Sequence, residues 1–159
     1  MIQGEERGAI FAGVIERIEN LTITGSTTFG AGGIQVVQYY SPKEPATEFS
    51  SRLSLVNVDL TGNGSGYAGA VDIISNLDAE FELSIVDSAV HGNASTHSGG
   101  GGVSMGGRFT LTSQNTDWGA GEDDNSPHDL ALQVDGDSHS HDFDGVVDFT
   151  CSTANPSCE

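Results

Sequence analysis

Hydrophobic and polar residues alternate along short stretches of the chain. For example, Leu83 and Ile85 alternate with Glu82 and Ser84, and the same alternation of apolar and polar residues extends toward the N-terminus. Alternation with a period of two predicts a β-strand with one buried and one solvated face. Patterns of this type predict the strands Leu21–Thr24, Ile34–Tyr39, Leu53–Leu60, Ala70–Ile74, Glu80–Val86, Val103–Met105, Phe109–Thr112 and Leu130–Val134. Glycine-rich turns separate them, and almost none of the chain has a helical pattern.

The apolar pattern also repeats after thirty residues. Leu53, Leu55, Val56, Leu60, Gly62 and Asn63 recur as Leu83, Ile85, Val86, Val90, Gly92 and Asn93. A fixed period filled with short strands and glycine turns is typical of solenoids, where each repeat buries its apolar face against its neighbours. We therefore predict an all-β fold, a parallel β-helix (solenoid) of about four to five coils. An antiparallel jelly roll is the alternative.

Within this fold, residues 1–116 would form the coils and residues 117–159 a terminal coil and acidic cap, together one folding unit. Asn63 and Asn93 would lie at matching corners, where their side chains could form a hydrogen-bonded stack. Trp118, the only tryptophan, suits the core of the cap, with an exposed sugar-stacking platform as the alternative.

The motifs at these corners resemble a known repeat. The chain contains Gly32-Gly33-Ile34, Gly69-Ala70-Val71 and Gly101-Gly102-Val103, and also Leu60-Thr-Gly-Asn63 and Val90-His-Gly-Asn93. They are similar to the Gly-Gly-apolar and Phe-x-x-Asn marks of polymorphic outer-membrane-protein type repeats, although no Phe-x-x-Asn occurs. The resemblance covers roughly residues 21–116 and implies a single-stranded right-handed parallel β-helix of the pectin-lyase-like kind. It also implies a bacterial cell-surface setting.

Charge limits the partners. The chain of 159 residues has 23 Asp and Glu against 5 Lys and Arg, a net charge of −18. Nucleic acid is not an expected partner, because binding phosphates requires a basic face. An anionic membrane surface would repel the chain, and no apolar run approaches the roughly 20 residues of a spanning helix.

The two cysteines, Cys151 and Cys158, enclose a small loop near the C-terminus. We predict a disulfide that holds this terminus in place, which implies an oxidising compartment. Together with the acidity, it predicts an extracellular or cell-surface location. The N-terminal residues do not have the pattern of a signal peptide, so we expect a leader or further coils upstream.

The C-terminal acidic region contains candidate metal ligands. Ten carboxylates lie between Asp117 and Asp148, with no Lys or Arg among them. Calcium, which takes six to eight oxygen ligands, could be held by two groups. The first group is Glu122, Asp123, Asp124 and Asn125. The second group is Asp135, Asp137, Asp142 and Asp144. No complete calcium motif is present, and a solvated acidic cap is the alternative. His139 and His141, with Asp137 and Asp142 nearby, form a weaker zinc hypothesis.

Candidate catalytic groups are few. Asp78, Glu80 and Glu82 lie on one face of a predicted strand, about 6.5 to 7 Å apart per step, a separation that suits a glycosidase. A hydrated acidic surface explains the same pattern. Serine hydrolase and phosphate-binding loop motifs do not occur.

Three functions fit these observations. The first is a non-enzymatic, secreted or cell-surface module with a structural, adhesion or matrix-binding role, whose partner is a polysaccharide or a surface protein. The second is a polysaccharide lyase or glycoside hydrolase on a β-helix, which rests partly on analogy of fold. The third is a calcium-stabilised structural fragment. End-to-end association of two copies is also consistent with an uncapped N-terminal coil.

Overall fold

The fold is known from a computed structural model that describes residues 10–12, 16–37, 51–74, 80–97 and 99–159. Over these residues the protein is all-β, as predicted, with one 3-10 turn at Gly121–Asp123. Asp78 and the last two residues of the predicted strand Ile34–Tyr39 lie outside the described residues.

Most of the strands are short, as the spacing of the glycine turns predicts. The strands are β1 (Ile10–Ala12), β2 (Arg17–Thr24), β3 (Ile34–Val37), β4 (Ser51–Thr61), β5 (Gly64–Ser65), β6 (Val71–Ile74), β7 (Glu80–Val86), β8 (Ala89–His91), β9 (Ala94–Ser95), β10 (Val103–Gly106), β11 (Arg108–Asp117), β12 (Leu130–Val134), β13 (Asp137–His141) and β14 (Val146–Ser152).

The strands form three sheets, and most neighbours are parallel. The first sheet has the order β1-β3-β6-β10-β12-β13. The second has the order β14-β11-β7-β4-β2, with β8 paired to both β4 and β11, and the third contains β5 and β9. Only the pairs β12-β13 and β11-β14 are antiparallel among these strands. The sheets are therefore mixed, with the antiparallel strands at one end of each large sheet.

Residues thirty positions apart lie beside each other in the second sheet. Leu53 pairs with Leu83, Leu55 with Ile85 and Leu60 with Val90, and all are at most 1% exposed. The first sheet holds a similar apolar column. Ile34, Val71, Val103 and Leu130 are paired in turn and fully buried. The core lies between these columns.

A column of glycines explains the Gly-Gly-apolar motif. A Cβ on Gly32 would lie 2.2 Å from the carbonyl oxygen of Gly69, and a Cβ on Gly69 would lie 2.1 Å from that of Gly101. Neither contact is possible for a side chain, so the first residue of each motif must be glycine. The apolar third residue is Ile34, Val71 or Val103, in the buried column.

Buried asparagines connect the corners that follow β4 and β8. Asn63 donates to Oδ1 of Asn93 through both its backbone N–H (2.9 Å) and its Nδ2 (3.1 Å). Asn93 donates to Oδ1 of Asn125 in the same two ways, at 3.1 and 3.0 Å. All three are at most 5% exposed. Each side chain therefore satisfies backbone groups that the corner leaves unpaired.

The C-terminal region packs on the end of the core. Trp118 is fully buried and contacts the rings of Phe143 and Phe149, at centroid distances of 5.9 and 5.5 Å. Its Nε1 donates to Oγ of Ser113 at 3.0 Å. The predicted disulfide between Cys151 and Cys158 is present.

Candidate functional site

Four residues of the second sheet share an unusual backbone conformation. Asn20, Asn57, Asp87 and Asn115 have φ between 47° and 53°. Asn and Asp tolerate this left-handed region better than other non-glycine residues. Burial changes phase at each one: Leu53 and Leu55 point inward before Asn57, and Val58 and Leu60 point inward after it. The left-handed residue therefore bends the strand while both halves remain on the core.

These four residues form a polar row that crosses the strands, called here the Asn/Asp row. Asn57 Nδ2 donates to Oδ1 of Asn20 at 2.6 Å, and Asn115 Nδ2 donates to Oδ1 of Asp87 at 2.7 Å. Oδ1 of Asp148 on β14 accepts from the backbone N–H of Asn115 at 2.6 Å. These hydrogen bonds connect Asn20 with Asn57, and Asn115 with both Asp87 and Asp148.

A second line of residues runs beside the Asn/Asp row. Thr22 pairs with Asp59, Asp59 with Ala89, and Ala89 with Asp117. Between the two lines lies a surface groove of about 550 Å³. Its lining comprises Asn20, Thr22, Asn57, Val58, Asp59, Asp87, Ser88, Ala89, Asn115, Asp117 and Val146. The lining presents amide, carboxylate and hydroxyl groups along an open track.

Asp59 is the least satisfied carboxylate of the groove. Its Oδ1 is buried and has no hydrogen-bond donor among the described residues. Asp117, by contrast, accepts from the N–H of Gly119 at 3.1 Å, and the hydroxyl of Ser88 donates to the carbonyl of Val86 at 2.7 Å. A buried acceptor without a donor is costly, so Asp59 places an unsatisfied carboxylate oxygen beneath the surface of the groove.

The proposed catalytic residues lie elsewhere. Glu80 and Glu82 are exposed on β7, where they face Arg108 and Arg52 of the neighbouring strands. Oε1 of Glu80 accepts from the hydroxyl of Thr110 at 3.3 Å. Glu82 lines a recess of about 300 Å³ together with Arg17 and Arg52. Both glutamates thus belong to a charged, hydrated strand face, and Asp78, outside the described residues, is not placed.

The candidate metal ligands belong to different local structures. Glu122 and Asp123 lie in the exposed 3-10 turn, and Oδ1 of Asp124 accepts from the N–H of Asn125 at 2.9 Å. Asp137 and Asp144 are exposed. Asp142 pairs with Nδ1 of His128 at 3.0 Å.

Asp135 belongs to a turn. Asp135 and Gly136, with φ of 52° and 91°, connect β12 to β13 as a two-residue hairpin. Asp-Gly is a strong signal for such a turn because both residues adopt positive φ. His139 and His141 lie on β13, where Nε2 of His141 is 2.6 Å from the carbonyl oxygen of Pro156. In the described part of the chain, no three His, Cys, Asp or Glu side chains form a group that could hold a metal ion.

Burial raises the pKa of two carboxyl groups. Desolvation raises the pKa of the fully buried Asp129 to about 6, although hydrogen bonds from Asn125 and from the N–H of Phe143 oppose this shift. Burial also raises the pKa of Asp72, whose Oδ2 accepts from Nε2 of Gln35 at 3.2 Å. Neither residue lines the groove, so we assign both to structure.

Sequence reasoning missed the groove. The positions of the Asn/Asp row, Asn20, Asn57, Asp87 and Asn115, are 37, 30 and 28 residues apart. A search for polar residues tolerant of positive φ at the repeat interval could have found them.

Comparison with known proteins does not identify the chain. No protein-family model, curated protein or solved structure matches it. Within the described ranges, none of the structure is a helix long and apolar enough to cross a membrane.

Proposed function

We propose that the protein is an extracellular or cell-surface module that binds a polysaccharide without cleaving it. The observation that carries this proposal is the groove, where the Asn/Asp row and the parallel line with Asp59 and Asp117 present hydrogen-bonding groups across successive strands. The groove crosses the strands, so its polar groups recur about every 4.8 Å, the spacing of neighbouring strands. A linear polymer can contact such a track at several successive units.

The proposal also includes the fold that carries the groove. We propose a right-handed parallel β-helix with polymorphic outer-membrane-protein type repeats. The thirty-residue register between β4 and β7, the glycine column and the buried asparagines support it. Parallel connections within a sheet are almost always right-handed. The parallel pairing also opposes the jelly roll, which is antiparallel.

The charge of the groove indicates the class of polysaccharide. Asp59, Asp87 and Asp117 lie in the lining, which contains no Lys, Arg or His among the described residues. Carboxylates accept hydrogen bonds from sugar hydroxyls but repel uronate and sulfate groups. A neutral polymer is therefore favoured over an acidic one. The disulfide and the net charge of −18 support an extracellular location.

Native gel electrophoresis in gels that contain a soluble polysaccharide tests this function. We expect a neutral β-glucan or mannan to retard the whole chain, and polygalacturonate not to. The same mixtures are assayed for new reducing ends, and we expect none. Retardation only by polygalacturonate would contradict the proposal, and release of reducing ends would favour the glycoside hydrolase or lyase instead.

Variants locate the binding. Asp59→Asn removes a charge with little change of shape, and Asn57→Gly removes the amide while it preserves the positive φ. Each should weaken binding about three- to tenfold, because Asn57→Gly removes a hydrogen-bonding group and Asp59→Asn replaces a charged acceptor by a weaker neutral one. Asp137→Asn, an exposed residue of β13 outside the groove, is the matched control. Equal binding by Asp59→Asn, Asn57→Gly and the control would exclude the groove as the site.

A further inference from the structure

Three aromatic rings form a second surface feature, separate from the groove. Phe29, Tyr67 and His97 lie on three successive turns, and we call them the aromatic row. The ring centroids of Phe29 and Tyr67 are 5.7 Å apart and perpendicular, and those of Tyr67 and His97 are 5.5 Å apart and stacked. Phe29 is 65% exposed and Tyr67 46% exposed. Such exposure of large rings needs an explanation in a chain with few aromatic residues.

The backbone beneath the aromatic row is tightly fixed. The N–H of Gly66 donates to the carbonyl of Phe29 at 3.1 Å, and the N–H of Tyr67 donates to that of Gly30 at 3.3 Å. The hydroxyl of Ser95 donates to the carbonyl of Tyr67 at 2.9 Å. A Cβ on Gly99 would lie only 1.5 Å from that same oxygen, so the next turn packs directly on it. The backbone that carries Phe29 and Tyr67 is therefore ordered without a ligand, which lowers the entropic cost of binding.

The three chain segments that carry the aromatic row contain no Asp, Glu, Lys or Arg. These segments are residues 24–34, 61–71 and 91–103, whereas the whole chain has 28 residues of these four types. Hydroxyl groups are present instead, on Thr27, Thr28, Ser95 and Thr96. Oγ1 of Thr96 lies 3.2 Å from Nδ1 of His97 and orients that ring. Aromatic faces beside hydroxyl groups suit a ligand that is neutral, with both an apolar face and many hydroxyls.

The exposed area of the aromatic row favours a sugar over a protein as its ligand. A fully buried aromatic ring contributes about 150–250 Å², so Phe29 and Tyr67 together expose on the order of 200–300 Å². A stable protein interface needs about 800 Å² from each partner. The aromatic row is too small for such an interface but matches one or two sugar rings.

We propose that the aromatic row is a binding site for a neutral saccharide, whose ring packs on the exposed face of Phe29 beside Tyr67. Hydroxyl groups of the sugar would contact the Tyr67 hydroxyl and the neighbouring threonines. The site does not depend on the groove, because its residues lie between β2 and β3, between β5 and β6, and between β9 and β10, and none of them lines the groove.

The experiment uses Phe29→Trp as a reporter. Trp118, the only native tryptophan, is fully buried, so the new indole dominates the change in emission on binding. Cellohexaose, mannohexaose and maltohexaose are titrated separately, with an oligogalacturonate as the charged comparison. We expect at least one neutral oligosaccharide to shift the emission to shorter wavelength with saturation. We expect Phe29→Ala, measured by calorimetry, to bind the same sugar about tenfold more weakly.

Two controls make the outcome decisive. Ile74→Ala removes another exposed apolar side chain, 48% exposed and outside the aromatic row, and should leave affinity unchanged. Asp59→Asn in the Phe29→Trp background should leave the emission shift unchanged, even if it weakens binding in the groove. No saturable shift with any neutral sugar up to its solubility would overturn the proposal. So would unchanged affinity of Phe29→Ala, or self-association that Phe29→Ala abolishes, which would assign the rings to a protein contact.

Discussion

The carboxamide of Asn93 is used completely. Its Nδ2 donates to the carbonyl of Leu60 at 2.8 Å and to Oδ1 of Asn125, while its Oδ1 accepts from the backbone and side chain of Asn63. The residue is 1% exposed, so water does not replace these partners. The side chain therefore acts as a connection between three successive corners.

Replacement of Asn93 by alanine should destabilise the protein strongly. It leaves the N–H of Asn63 and the carbonyl of Leu60 without this buried partner, and each unsatisfied group costs about 1–3 kcal/mol. We expect the free energy of unfolding in urea to fall by at least about 2 kcal/mol. Gln114→Ala, an exposed amide on β11, should change it by less than about 0.5 kcal/mol. Similar losses for both variants would argue against the stack as a stabilising element.

The raised pKa of Asp129 predicts that the stability of the folded protein depends on pH. Its folded-state pKa, raised mainly by burial and also by Asp124 and Asp142, is about 6, above the ordinary value of 3.8. Between these values the folded state binds more protons than the unfolded state, so stability falls as pH rises. The contribution is complete below about pH 4 and is lost as pH rises through about 6.

A comparison with Asp129→Asn isolates this contribution from the other carboxylates. The difference in unfolding free energy between the wild type and Asp129→Asn should shift against the wild type as pH rises from 4 to about 7. Asn cannot titrate, and its lost acceptor adds an offset that is constant with pH. Urea unfolding at several pH values measures the difference. A difference that does not vary with pH would show that Asp129 titrates normally.

At the scale of strands, the glycine column sets how closely the turns can approach. We expect Gly69→Ala to lower the free energy of unfolding by about 1–3 kcal/mol or more, because its Cβ would meet the carbonyl of Gly101 at 2.1 Å. Gly106→Ala on β10 is the matched control, since its Cβ would meet nothing closer than 3.9 Å. It should be neutral or slightly stabilising. Equal effects would mean that the turns can separate without cost.

The sequence predicted the buried strands better than the exposed ones. The predicted strand Leu53–Leu60 lies wholly within β4, and its apolar residues repeat in the next strand. β13 was missed, since Asp137–His141 has no apolar residue and is a strand only through its pairing with β12. The Asp135-Gly136 turn beside it was interpreted as part of a calcium site, although Asp-Gly is also a hairpin signal.

Candidate sites were harder to predict than strands. The groove depends on the left-handed bends at residues such as Asn57, and the aromatic row depends on side chains whose spacing, 38 and then 30 residues, is irregular. Both arise when segments that are far apart in the sequence lie side by side, which no local pattern in the chain records. The disulfide between Cys151 and Cys158 could be predicted from the sequence because the two residues are close along the chain.

At the scale of the whole molecule, the dominant quantity is the net charge of −18. Acidic side chains lie on several strands and turns, and only five Lys and Arg residues offset them. The radius of gyration of a compact chain of this length is about 15 Å. At about 0.01 M salt the Debye length is about 30 Å, so charges across the whole molecule repel one another. At about 0.15 M it is about 8 Å, and only near neighbours still interact.

Sodium chloride should therefore raise the melting temperature between these two concentrations, by several degrees, and have less effect above them. Calorimetric or fluorescence melts measure this change. Calcium chloride at equal ionic strength separates screening from specific binding, because screening predicts a similar melting temperature. A further rise with calcium, reversed by chelator, would assign a specific site to the acidic residues. A melting temperature independent of sodium chloride would mean that the repulsion is already relieved in the fold, by the distances between the carboxylates.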